Sequence, residues 1–109
     1  MITTHVLDTA LGRPAAGLAI TLELRDGDGW RPLAAGKTDA DGRLRTLTPG
    51  AVAAGVYRLS FDTGAYFARA GTEAFYPEVR IAFEVRDPAA HFHVPLLLAP
   101  YGYSTYRGS

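Results

Sequence analysis

His5, His91 and His93 are the only imidazoles in this chain of 109 residues. An imidazole has an ordinary pKa of about 6.5, so each can take or deliver a proton near neutral pH. His91 and His93 are two residues apart, and on a regular strand both point to one face. Three histidines suit the ligand set of a catalytic zinc site, but a strand-end pair also suits a solvent-facing position, and the spacing alone favours the second. Arg43 and Arg107 carry forked donors that match the edge of a planar anion, with a solvated charge as the simpler reading of each. Asp8 and Asp62 are carboxylates available to orient a histidine. Ser109 has no Gly-x-Ser-x-Gly elbow around it, so hydrogen bonding is expected of it rather than covalent catalysis.

The last four residues, Tyr106-Arg107-Gly108-Ser109, gather a phenol, a guanidinium, a hydroxyl and an α-carboxylate. They follow the apolar run 95–100 and the aromatic segment 101–105. A terminal segment of that composition is expected to dock rather than fray. Tyr101, Tyr103 and Tyr106 are amphipathic rings of the kind that line interfaces. Of Trp30, Phe61, Tyr66, Phe67, Phe75, Tyr76, Phe83 and Phe92, most are expected in the core.

Short strands must position these groups. Residues 19–25 alternate apolar and polar side chains in their second half, and Asp26-Gly27-Asp28-Gly29 then turns the chain. Residues 30–38 read as the next strand, irregular at Pro32, and Asp39-Ala40-Asp41-Gly42 makes a second turn into Arg43-Leu44. Both acidic turns lack the spaced ligands and closing Glu of a calcium loop. Residues 56–61 alternate well and 78–86 strictly, the latter with Val79, Ile81, Phe83 and Val85 on one face. Residues 63–70 suit a short helix closed by Gly71, and 91–98 a last long strand. About seven strands with one helical segment imply an all-β sandwich.

Composition narrows the function. The 11 Lys and Arg balance 11 Asp and Glu, leaving no basic excess to neutralise phosphates, so no nucleic-acid partner is expected. There is no cysteine, which removes disulfides, thiolate chemistry and Cys-based metal sites. No apolar run approaches the roughly 20 residues that span a bilayer, and residues 1–8 lack a basic n-region. One soluble, cytoplasmic domain over 1–109 is expected, with a neutral charge that permits self-association.

Together these residues carry a specific resemblance. The chain resembles the transthyretin-like family along nearly its whole length. The matching segments are Thr4-His5-Val6-Leu7-Asp8, Gly36-Lys37-Thr38 through Asp41-Gly42-Arg43, Asp62-Thr63-Gly64-Ala65-Tyr66-Phe67, His91-Phe92-His93-Val94-Pro95-Leu96-Leu97-Leu98, and 101–109. One branch of that family carries hormones; the other hydrolyses 5-hydroxyisourate in urate degradation. The first-strand histidine, the Arg after Asp-Gly, the second histidine of His-x-His and the final Tyr-Arg-Gly-Ser resemble the enzyme branch.

The resemblance implies a transthyretin-like (prealbumin-like) sandwich of about eight strands, assembled as a homotetramer, a dimer of dimers, with active sites in the channel at the dimer–dimer interface. It implies His5, Arg43, His93 and Ser109 as catalytic residues, and Tyr106, Arg107 and Gly108 as substrate-binding residues. His91 is the lesser candidate. The implied reaction is the opening of a cyclic amide, giving 2-oxo-4-hydroxy-4-carboxy-5-ureidoimidazoline, with no metal or organic cofactor. His5 or His93 is the base, and the two arginines hold the ring and stabilise developing charge. Three rivals predict different behaviour: a non-catalytic carrier of the same fold, a metal-dependent hydrolase using the three histidines, and a structural interaction module.

Overall fold

The computed structural model describes residues 1–48 and 50–109. Nine strands and one helix follow in chain order. They are β1 (Ile2–Asp8), β2 (Arg13–Pro14), β3 (Ala19–Asp26), β4 (Gly29–Lys37), β5 (Arg43–Leu44), β6 (Gly55–Phe61), α1 (Thr63–Arg69), β7 (Val79–Val85), β8 (Phe92–Ala99) and β9 (Gly102–Thr105). One sheet runs β2-β1-β8-β9, with β5 also paired to β1; the other runs β4-β3-β6-β7. This is the expected sandwich, with two pieces unforeseen. The short β2 is one, and the other is β9, which turns the aromatic segment back on β8 through Leu98↔Tyr103 and Leu97↔Ser104.

Alternation drives both sheets together. In β1 the pattern is strict, with Ile2, Thr4, Val6 and Asp8 buried and Thr3, His5 and Leu7 half-buried. Val79 and Val85 of β7 are buried and Ile81 and Phe83 half-buried, all on the expected face. Ile20, Leu22, Leu59, Phe61, Leu96 and Leu98 complete the seam between the sheets. Burying each such side chain contributes about 1.5 to 3 kcal/mol against leaving it exposed. The irregularity at Pro32 is a bulge. Glu23 pairs with Pro32 while Leu22 pairs with Ala34, so Leu33 is left over.

Three of these aromatics lie outside the core. Phe75 and Tyr76 are exposed and pack edge to face, with Tyr76 also against Tyr103. Trp30 is half-buried on an outer face, where the Arg25 and Arg58 guanidiniums stack on it. Asp8 and Asp62 orient no histidine. Asp62 caps α1 by accepting from Ala65 N–H. Asp8 is buried and accepts from Leu11 N–H at 3.0 Å and the Tyr66 hydroxyl at 2.8 Å. Burial, then the bond to Asp8, pushes the Tyr66 phenol up to about 12.

The pairing that matters most for function is β1 with β8. These strands run parallel, with Thr3 opposite His93 and His5 opposite Pro95. On the other side of β1, His5 is opposite Arg43. Directly paired residues share a face, so Thr3, His5, Arg43 and His93 stand together on the outside of the sandwich.

Candidate active site

The turn before β5 is built to hold this face. Asp39 Oδ1 accepts from the backbone N–H of Asp41 and of Arg43. Donation from Arg43 N–H is the largest cause holding the Asp39 carboxyl below its ordinary value. Gly42 has φ +75, and a Cβ there would strike the Val6 carbonyl, so only glycine brings the turn this close to β1. The reward is at Asp41, whose carbonyl meets His5 Nε2 at 2.9 Å. A carbonyl only accepts, so Nε2 carries the proton and the neutral ring keeps its lone pair on Nδ1.

His93 is held from two sides. Its Nδ1 is 2.8 Å from Thr3 Oγ1, and the same hydroxyl is 2.8 Å from His91 Nε2. Its carbonyl accepts from Gly108 N–H at 2.8 Å, and the two residues form an isolated β-bridge. Partial burial holds the His93 imidazole below its ordinary pKa, and the positive charges of Arg43, His5 and His91 push the same way. The neutral form of His93 is therefore favoured.

Thr3, Arg43, Arg45, His91, His93 and Ser109 line a cleft of about 450 Å³, a size usual for a small-molecule site. No carboxylate side chain lines it among the described residues. A chain with no net charge thus has a locally cationic face. No group of three or more His, Asp or Glu gathers in metal-binding geometry among the described residues.

The tail divides between two places. Gly108 and Ser109 lie with the histidines. Tyr106 and Arg107 line a separate groove of about 270 Å³ with Ile81, Phe83, Phe92 and Val94. The Arg107 guanidinium sits 4.6 Å from the centre of the Phe92 ring, on a core residue rather than over the histidine cleft. Gly108 has a packing reason to be glycine: a Cβ would come within 2.6 Å of His93 Cδ2. Its absent side chain lets the tail backbone lie against the imidazole. Sequence reasoning missed Thr3 and Arg45. The signal for Thr3 was its place two residues before His5, which puts both on one face of a strand.

The model of the HIUase/Transthyretin family matches residues 2–108. The chain belongs to the HIUase/Transthyretin family. Within this family it is 51% identical to 5-hydroxyisourate hydrolase 2 of Rhizobium meliloti, covering 99% of this chain and 95% of the relative. The solved 5-hydroxyisourate hydrolase of Klebsiella pneumoniae superposes with a TM-score of 0.89 at 44% identity, covering 99% of this chain and 98% of that one. Sea bream transthyretin, solved with thyroxine, superposes with a TM-score of 0.91 at 34% identity, covering 98% of this chain and 93% of that one. The backbone therefore does not separate the hydrolase from transthyretin. Identity, and the side chains of the cleft, point to the enzymes.

Proposed function

We propose that this protein hydrolyses 5-hydroxyisourate, as its relatives with that name do, through the cleft on the outer face of β1, β5 and β8. The observation that carries this reading is that His5, Arg43 and His93 share one outer face of adjacent strands, with Arg43 and His93 lining a cleft without carboxylate side chains and His5 next to them on β1. Opening the ring as a cyclic amide requires a base for water, a donor for the oxyanion and a proton for the leaving nitrogen. His93, whose neutral form is favoured by partial burial, is suited to the base, and it has a ring nitrogen, Nε2, without a partner among the described residues. His5 orients water through Nδ1 or supplies the leaving-group proton. Arg43 holds the planar ring and stabilises charge on the attacked carbonyl. Ser109 hydrogen-bonds substrate or water. The carboxylate formed is that of 2-oxo-4-hydroxy-4-carboxy-5-ureidoimidazoline.

Tyr106 and Arg107 enter this scheme as substrate-binding residues through assembly. A homotetramer, a dimer of dimers, sets two cleft faces opposite one another, so tail residues near one cleft can close another. A cytoplasmic location fits a substrate of purine breakdown. A hormone carrier of the same fold has no use for two imidazoles and a guanidinium on this face.

The test follows the ultraviolet decay of 5-hydroxyisourate freshly made from urate. Wild type, His5→Ala, His93→Ala and a chain lacking residues 106–109 are compared, with oligomeric state measured in parallel. Loss of turnover in the variants at unchanged assembly is expected. A His5→Ala, His93→Ala double variant that remains assembled and fully active overturns the site.

A further inference from the structure

We propose that Thr3 is a positioning residue for His93: its hydroxyl, by donating to His91 Nε2, receives the Nδ1 proton of His93 and leaves His93 Nε2 as the lone-pair atom for the cleft. This inference rests on the hydrolase reading above and deepens it. The argument is one of counting. A threonine hydroxyl has a single hydrogen, and here it meets two ring nitrogens at 2.8 Å each. Its oxygen has two lone pairs, so it either donates to one ring and accepts from the other or accepts from both. If it donates to His91, only the tautomer of His93 with a proton on Nδ1 fits, and Nε2 is a base. If it donates to His93 Nδ1 instead, the proton of His93 sits on Nε2, and the base is lost while the ring remains neutral.

The tautomers of the two histidines are therefore coupled through one oxygen. The other charged or titratable groups around this pair are Arg43 and Arg45 at β5, the Met1 amine, His5 on β1 and the Ser109 α-carboxylate. The partial burial that lowers the His93 pKa favours its neutral form, the one that can act as a base. Thr3 itself is half-buried on a regular strand, a position that tolerates any β-branched residue, so removing the hydroxyl alone leaves β1 intact.

The decisive variants are Thr3→Val, which keeps the branched shape, and Thr3→Ser, which keeps the hydroxyl. In Thr3→Val, kcat for 5-hydroxyisourate is expected to fall about 10- to 100-fold, with KM within about twofold, because general-base catalysis contributes on the order of 100-fold or more. Thr3→Ser should recover kcat to within about threefold of wild type. In ¹⁵N spectra, the single Nδ1–H tautomer of His93 in wild type should become a mixture in Thr3→Val. The proposal is overturned if Thr3→Val retains wild-type kcat, if Thr3→Ser is as impaired as Thr3→Val, or if the His93 tautomer in Thr3→Val is the same as in wild type. His93→Gln in the same assay separates the two readings. If it keeps wild-type turnover, the hydrolase site is wrong, and the ¹⁵N spectra of Thr3→Val still decide whether Thr3 sets the tautomer.

Discussion

The two outer faces of the sandwich carry clefts of similar size, about 480 Å³ over β3 and β6 and about 450 Å³ over β1, β5 and β8. The larger holds Thr21, Glu23, Ser60, Asp62, Glu78 and Arg80. Its charges answer one another. Glu23 takes both Nε and Nη2 of Arg58 at 2.9 Å, Arg58 stacks 4.3 Å from the centre of Trp30, and Arg80 pairs with Glu78. The smaller cleft has the opposite arrangement. Its cations have no carboxylate side chain among them, and the Arg43 guanidinium has no hydrogen-bond or ion-pair partner among the described residues. Polarity that is spent internally contributes stability; polarity left unspent is available to a ligand. The size of a depression does not tell the two apart.

Substitutions should divide along the same line. The largest effect is expected for His93→Gln, with a fall in kcat on the order of 100-fold or more and an unchanged melting temperature, read by turnover and thermal unfolding. Arg43→Met should cost about 100-fold in turnover, as for the loss of one preorganised donor. Arg58→Met is the mirror experiment. It strands a half-buried Glu23 carboxylate, so about 1 to 3 kcal/mol of stability should be lost in denaturant unfolding while turnover stays at wild type. If Arg58→Met abolishes turnover in folded protein, the division between the faces fails.

Smaller effects sharpen the contrast. Tyr66→Phe removes the hydroxyl that satisfies buried Asp8, so it should cost about 1 to 2 kcal/mol and leave turnover unchanged. In wild type this phenol should titrate at about 12 by ultraviolet absorbance. Because its folded pKa is raised, its contribution is full below the unfolded value near 10 and is lost as pH rises through the folded one. His93 has the reverse sign. With its folded pKa lowered, stability is full above the unfolded value of about 6.5 and declines as pH falls through the folded value. Activity should follow, its acid limb lying below the usual imidazole range.

Much of this was legible in the chain itself. Alternation in 78–86, the Asp-Gly turns and the break at Pro32 are local signals, and each has its structural counterpart in β7, the turns 26–29 and 39–42, and the bulge at Leu33. The histidines, Arg43 and the final residues were recognisable by type and by family resemblance. Other features were not legible. Phe75, Tyr76 and Trp30 are apolar enough to predict burial, yet they lie where the chain leaves the sheet interior or where arginines cover a ring. The tail's composition does not tell where each residue docks: Arg107 turns to Phe92 while Gly108 stays with His93.

The sequence by itself determined which residues share a strand face, because side-chain alternation has a period of two and needs no partner. It also determined the two glycine-dependent approaches, at Gly42 and Gly108, although not what they approach. Only the tertiary structure decided that β1 lies parallel to β8 with Thr3 opposite His93, across 90 positions of chain. That register is set by burying Ile2, Val6, Leu96 and Leu98 together, and a slip of β8 by one residue would turn His93 inward. The physical reason is the range of the forces: alternation is a local property of the backbone, whereas register is fixed by a core drawn from the whole chain.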